Sequence, residues 1–377
     1  MMTARERMLT AMRGGQPDRV PMPLRMWKFM RKHYNSWDNL ANYLKAHDEF
    51  GIDIFHYTAD APHPCFNPLD EPWREDVEIE LTHRAEPDRN VWQRTIHTPA
   101  GDLHDAKQAL MVKEGSGSGP EILEPLIKDV KTDIPKYRYM HAAPQKIDTE
   151  KALEEDRIIG DSGIAVASVY SPIDCRDAMK QEDFLMLYYD DRDAFREIVQ
   201  IGADAMMAET KHVLDAGMRV IKTWWFYASP SAGWSPAIYK EMFLPHLVRH
   251  VELVHGYDDA IYIYYDDGKM AQFVDMYIDA GIDVLMTCAP PPLGDADPAE
   301  MKRKYGGRVC LMGGIDAVNE VYLGTPEKIR TMVRERLAIL KPNGAYVMDG
   351  SNSLVYETPA DNVRALAEAG RQFGAYA

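Results

Sequence analysis

Tyr262-Ile263-Tyr264-Tyr265-Asp266-Asp267-Gly268-Lys269 is the stretch on which the reading of the fold turns. Strand-favouring, largely apolar residues run straight into two carboxylates and a glycine, and the helical spacing of residues 270–276 follows at once. The pattern predicts a buried strand that ends in a polar turn and hands over to a helix. Two adjacent carboxylates at such an exit repel each other unless a cation, a proton or a helix N-terminus compensates. An aspartate just ahead of a helix also serves as its N-cap, so capping and catalysis are both open for this pair.

Working outward, the same strand-then-helix alternation recurs. Residues 158–170, 218–225, 282–288, 309–314 and 345–348 read as strands, and helical patterns separate them at 182–216, 235–255, 297–305, 325–340 and 359–373. Towards the N-terminus, a helical segment at 3–13 is stopped by Gly14-Gly15, and strand-like runs end near Arg25 and His56. Eight strand exits result, near Arg25, His56, Tyr170, Trp224, Tyr265, Cys288, Gly314 and Asp349. Eight βαβ units predict a (β/α)₈ TIM barrel with an N-terminal helical segment, spanning residues 1–377 as one domain. An open doubly wound sheet is the competitor, but no G-x-G-x-x-G follows the first strand. Between 76 and 112 the alternation of Val77-Glu78-Ile79-Glu80-Leu81 predicts a β-hairpin insertion or lid, and the glycine-rich 113–120 reads as a loop.

Composition narrows the function classes. A net charge of −16 argues against nucleic acid or an anionic membrane as partner, since both are held by basic patches. No run of about 18 apolar residues is present, and the first residues lack an apolar signal core, so the expected location is the cytoplasm. Cys65, Cys175, Cys288 and Cys310 lie far apart without a C-x-x-C pair, which leaves packing or ligation rather than a disulfide framework.

In (β/α)₈ barrels the active site is built at the C-terminal ends of the strands. Those ends supply Arg25, His56, Asp60, Tyr170, Trp224, Trp225 and Tyr227 as candidate substrate-binding residues, and Tyr265, Asp267 and Asn352 as candidate catalytic ones. Asp267 with Cys288 is a candidate metal pair, because carboxylate oxygen and thiolate both ligate Zn²⁺, although no further His or Cys stands nearby at ligand spacing. Gly313-Gly314 reads either as an anion cradle or as a tight turn.

The motifs 6–21 (Glu6-Arg7-Met8-Leu9 through Asp18-Arg19-Val20-Pro21), Ser235-Pro236-Ala237-Ile238-Tyr239, Gly313-Gly314-Ile315-Asp316, Gly324-Thr325-Pro326-Glu327 and Thr358-Pro359-Ala360-Asp361 occur in the order seen in the uroporphyrinogen decarboxylase superfamily, which the chain resembles. The resemblance implies a (β/α)₈ barrel and one of two chemistries: porphyrinogen decarboxylation without a cofactor, or zinc-dependent methyl transfer involving a corrinoid protein. The decarboxylases carry an arginine-rich segment after the first strand. The matching 24–30 here keeps at most Arg25, which disfavours porphyrinogens. Residues 98–103 and 124–130 look like the methyltransferase branch. That branch usually shows His-x-Cys-Gly at the fifth strand end and a cysteine at the eighth, whereas Tyr265, Asp267 and Asn352 stand here. Either the zinc site is rebuilt with Cys288 or His56, or the pocket does acid/base work.

The expectation that follows is a methyltransferase of O-demethylase type. It would move a methyl group from a small methoxylated or methylated compound to a corrinoid (cobalamin) cofactor on a partner protein, and a homodimer is left open. A cofactor-independent decarboxylase or lyase acting on a small aromatic acid is the alternative, and a binding protein on a degenerate barrel is the third reading.

Overall fold

The computed structural model describes residues 1–59, 75–110, 121–141, 146–173 and 178–376. Asp60, Cys65, Cys175 and the glycine-rich 113–120 lie outside the described residues. Eleven strands are described: β1 (Ile54–Thr58), β2 (Glu78–Ala85), β3 (Arg89–Thr98), β4 (Gly101–Leu110), β5 (Glu121–Glu124), β6 (Gly163–Tyr170), β7 (Val220–Trp224), β8 (Ile261–Tyr265), β9 (Val284–Thr287), β10 (Cys310–Ile315) and β11 (Tyr346–Gly350). They form a curled parallel sheet in the order β1-β6-β7-β8-β9-β10-β11 and an antiparallel sheet in the order β2-β3-β4-β5. By contacts the chain divides into two compact units, one of residues 1–59, 149–168 and 214–377, the other of 60–148 and 169–213.

The first unit carries the parallel sheet. Seven strands stand where eight exits were expected, because the run 20–25 forms no registered strand. Pro21 and Pro23 have no N–H to give to a ladder. The segment is nonetheless bonded on both sides: Met348 of β11 donates to Pro21 O (2.9 Å), and Asp53, just ahead of β1, donates to Met22 O (3.0 Å). Side chains alternate across the strands. On the concave face Phe55, Ile164, Val166, Val220, Ile261, Ile263, Tyr265, Val284, Met286, Cys310, Met312 and Val347 make one apolar cluster, floored by Met8, Ala11 and Met12 of the helix Ala4–Met12. A capping box between Thr3 and Glu6 starts that helix. On the convex face the sheet packs against helices such as Pro236–Met242 and Leu244–His255. The sequence pattern predicts one helix there; Pro245 at the start of the second piece breaks it in two.

The second unit holds the antiparallel sheet, which is wider than a hairpin because β2 and β5 flank the β3–β4 pair. Its interior includes an ion pair, Arg94 to Asp105, with both side chains buried across β3 and β4. No described helix is long and apolar enough to cross a membrane.

Candidate active site

The exit of β8 decides between the two readings of the aspartate pair. The next helix, Val274–Asp279, begins seven residues beyond Asp267 and has Phe273 at its cap position, so neither aspartate caps it. Asp266 points to the convex side. It is fully buried and accepts hydrogen bonds from the Asp267 N–H (2.7 Å) and the Tyr277 hydroxyl (2.9 Å). Burial pushes its carboxyl well above the usual range. Asp267, one residue on, faces the other way. Its Oδ2 accepts from the Tyr265 hydroxyl (3.2 Å) and from Asn352 Nδ2 (3.1 Å), which joins the exits of β8 and β11. Burial raises the Asp267 carboxyl above its ordinary pKa. Arg25 and the hydrogen bonds from Tyr265, the Gly268 backbone and Asn352 pull against that shift without cancelling it.

Arg25 completes this group. Its backbone N–H and Nε donate to the two oxygens of Asp349 (2.7 and 2.9 Å), and Nη2 donates to Gly350 O (2.7 Å). Both side chains are buried. Burial opposes the guanidinium charge, but Asp349 and the neighbouring Tyr265 and Tyr57 outweigh it and hold the pKa well up. The guanidinium carbon lies 5.1 Å from the centre of the Tyr265 ring.

Two further members were not singled out from the sequence. Lys222, in the middle of β7, is fully buried on the concave face; its ammonium lies against the Trp224 ring and 4.5 and 4.4 Å from the centres of Tyr57 and Tyr265. Tyr57, at the end of β1, packs its ring 5.7 Å from that of Trp224, and its buried hydroxyl has no hydrogen-bond partner among the described residues. The signal for both was available in the alternation: Lys222 shares parity with Val220 and Trp224, and Tyr57 with Phe55. Trp224 is steered by its Nε1–H, which donates to Ser168 Oγ (2.6 Å), and its ring lies 4.7 Å from that of Tyr265.

Two residues expected at the site, His56 and Trp225, face away from it. His56 has the opposite parity from Tyr57 and packs on the convex side, with Nε2 3.2 Å from Glu155 Oε2 and its ring against Tyr43. Burial lowers its pKa, against the pull of Glu155. Trp225 is likewise behind the sheet, donating to the Tyr262 hydroxyl (2.9 Å) and stacking on Tyr264. Tyr227 lies in the short helical turn Phe226–Ala228 beyond β7, its ring against Phe226. Tyr170 closes β6 within the second unit and is described only there. Gly313 and Gly314 lie inside β10 at positive φ, and a Cβ on Gly313 would come within 1.6 Å of Thr287 O, so close backbone approach accounts for that glycine. Asp316 caps the turn 317–322 through the N–H groups of Val318 and Asn319.

The donors around Asp267 do not suit zinc. Its Oδ2 is engaged by a hydroxyl and an amide N–H. The Cys288 thiol donates to Leu285 O (3.4 Å) of its own strand, and burial pushes its pKa up to about 12, so it stays a thiol at neutral pH. Among the described residues no three His, Cys, Asp or Glu side chains are grouped to hold a metal. The arrangement instead sets the Asp267 carboxyl, raised in pKa by burial, with the buried Arg25 and Lys222 around the Tyr265 ring, which Trp224 also walls.

A cleft of about 950 Å³ lies away from this site. It opens among the strand starts, lined by residues such as Arg13, Asp283, Lys302, Arg308 and Asn343. Arg13 there pairs with Asp259, Arg308 with Asp279, and Lys302 with Gly344 O. In barrels of this kind that end carries stability rather than chemistry.

Comparison with known proteins places the chain. Among solved structures it is similar to a methyltransferase from Methanosarcina mazei, with a TM-score of 0.69 at 17% identity, over 99% of each chain. It is also similar to a B12-independent methionine synthase from Shewanella sp. W3-18-1, with a TM-score of 0.46 at 11% identity, over 95% of this chain and 94% of that one. The first likeness is one of fold. No curated protein matches the chain. The sequence model of uroporphyrinogen decarboxylase (URO-D) matches residues 106–373, most of the length and every strand from β6 to β11. On that match, the chain belongs to the uroporphyrinogen decarboxylase family.

Proposed function

We propose that the protein is a methyltransferase built on a closed (β/α)₈ barrel. It takes a methyl group from the oxygen of a small methoxylated compound and passes it to a corrinoid cofactor carried by a partner protein. The fold shared with the Methanosarcina mazei methyltransferase supports this reading. The observation that carries it is Asp267: a carboxyl raised above its ordinary pKa at the strand exits, with one oxygen held by two donors.

Oδ2 accepts from Tyr265 and Asn352 and the Gly268 backbone also bonds the carboxyl, so these donors hold Asp267 in place, and in its protonated form it is the acid of the site. A reduced corrinoid, when bound, supplies the electron pair that accepts the methyl group. As the methyl–oxygen bond breaks, its electrons remain on oxygen, and Asp267 delivers its proton there so that a neutral hydroxyl departs instead of a basic alkoxide or phenoxide. Arg25, which lowers the Asp267 pKa by its charge, stabilises the carboxylate that results. Solvent then returns the proton. Trp224, Tyr57 and Tyr265 wall the cavity in which the substrate sits, and the partly exposed Trp224 and Asp267 leave an approach for the methyl acceptor.

The test is incubation with reduced cobalamin and a panel of methoxylated aromatics. Growth of the methylcobalamin absorption with matching release of the free phenol supports the proposal; no transfer from any member refutes it. One observation favours a second reading, decarboxylation of a small aromatic acid: Arg25 and Lys222 offer two cations where a carboxylate would sit. Release of carbon dioxide without cobalamin would select it.

A further inference from the structure

Resting on the reading of the β7–β8–β11 exits as the active site, we propose that Lys222 and Tyr57 set the substrate class. The ligand is a planar aromatic oxyanion, a carboxylate or a phenolate, whose charge lies between Lys222 Nζ and the Tyr57 hydroxyl. Lys222 is the specificity-determining residue.

In register with Lys222 on the following strands stand Ile263, Val284 and Cys310, all buried and apolar. A lysine there costs stability that a leucine or methionine would not. Three aromatic faces surround its ammonium, from Tyr57, Trp224 and Tyr265. Such faces stabilise the charged form and hold it in one place. The Tyr57 hydroxyl, beside it, is buried without a partner among the described residues, and a buried hydroxyl left unpaired is costly until something accepts its hydrogen bond. Its electrostatic neighbours are Arg25, the Asp349 carboxylate paired with it, Tyr265 and Tyr43. The Lys222 ammonium packs on the Tyr57 ring, and the Tyr57 hydroxyl has no hydrogen-bond partner among the described residues, so the two offer an anionic oxygen a charged and a neutral donor. The walls fix the rest of the ligand: the Trp224 ring stands at 58° to Tyr265 and at 53° to Tyr57, with ring centres 4.7 and 5.7 Å away. Edges and faces of these rings give a ligand ring aromatic, apolar contact.

Binding of benzoate, of its neutral isostere benzamide and of ionised 4-nitrophenolate is measured calorimetrically on the full chain, without cobalamin, so that the outcome does not depend on methyl transfer. Benzoate or 4-nitrophenolate should bind roughly ten- to hundredfold more tightly than benzamide, the range expected of one charge-assisted hydrogen bond. The tighter of the two anions identifies the group. Lys222→Met, which keeps the length of the side chain, should erase the preference while benzamide affinity stays within about threefold. Tyr57→Phe, which removes only the hydroxyl, should reduce the preference in a protein whose packing is intact, and it carries the test if Lys222→Met does not fold. Equal affinity for benzoate and benzamide, no binding of either anion, or a preference that survives both substitutions overturns the proposal. An anion preference without cobalamin methylation would leave this inference standing and remove the methyl-transfer reading alone.

Discussion

The ion pair between Arg25 and Asp349 offers the sharpest quantitative test of how the site is held. Asp349 is fully buried at the end of β11, and its carboxylate accepts from Arg25 N (2.7 Å), Arg25 Nε (2.9 Å) and Gly350 N (2.7 Å). Asp349→Ala removes the carboxylate bonded to the Arg25 guanidinium, itself 4% exposed, leaving it the Gly350 carbonyl and the Tyr265 hydroxyl, and strands the backbone N–H groups of Arg25 and Gly350. Removing one partner of a buried pair costs about 3–5 kcal/mol, and each orphaned backbone donor adds up to about 1–3 kcal/mol where water does not reach it. A loss near the upper end, about 5 kcal/mol, is therefore expected. Replacing both residues with apolar ones of similar volume, Arg25→Met with Asp349→Leu, should cost less than the single change, because no charge is then left buried and only the two backbone N–H groups stay stranded. Urea unfolding, with amide hydrogen exchange at β11 as the local readout, measures both variants. A single-mutant loss below about 1 kcal/mol, or a double mutant at the sum of the singles, would refute the claim that Asp349 exists to neutralise and aim Arg25.

Three further outcomes follow from the same geometry. Asp267→Asn should lower turnover by about a hundredfold or more, the usual share of a general acid. The folded-state pKa of Asp267 is raised, so its proton stabilises the fold below the ordinary carboxylate range, and that contribution is lost as pH rises through the raised value. At neutral pH the asparagine variant should thus equal or exceed the parent in stability, and parent activity should fall with rising pH; a variant weaker by more than about 1 kcal/mol contradicts the assignment. Exhaustive chelation should leave activity unchanged, and Cys288 should resist alkylation in the folded protein, since its thiol is buried and pushed up to about 12; activity restored only by zinc would show a metal site. Gly313→Ala should fail to fold or lose at least about 3 kcal/mol in a denaturant titration, because the new Cβ meets Thr287 O at 1.6 Å; a normal midpoint would mean that β9 and β10 part without cost.

Much of this molecule was legible in the chain alone, because local signals report local facts. Alternating apolar runs and helical spacing located six of the parallel strands from β6 onwards, together with β1, and the polar exits flagged Arg25, Tyr265, Asp267 and Asn352, which do lie together. The order of short motifs carried the family. Three things could not be read that way. The first barrel position is filled by the proline-bearing segment 20–25, whose hydrogen bonds are supplied by β11 and by Asp53 and are invisible from its own residues. Facing was misjudged at two pairs of neighbouring residues: His56 stood for Tyr57, and Trp225 was taken with Trp224. Successive strand side chains point to opposite faces, so composition identifies an exit but register decides which of two neighbours enters the cavity. Lys222 went unmarked for the related reason that its meaning comes from three rings donated by β1, β7 and β8. The chain by itself determined that a barrel-like sheet would form and where polar groups would gather along it. Only tertiary structure, by closing distances between residues far apart in sequence, decided which of those groups meet, which carboxyls burial pushes up in pKa, and where the buried charges sit.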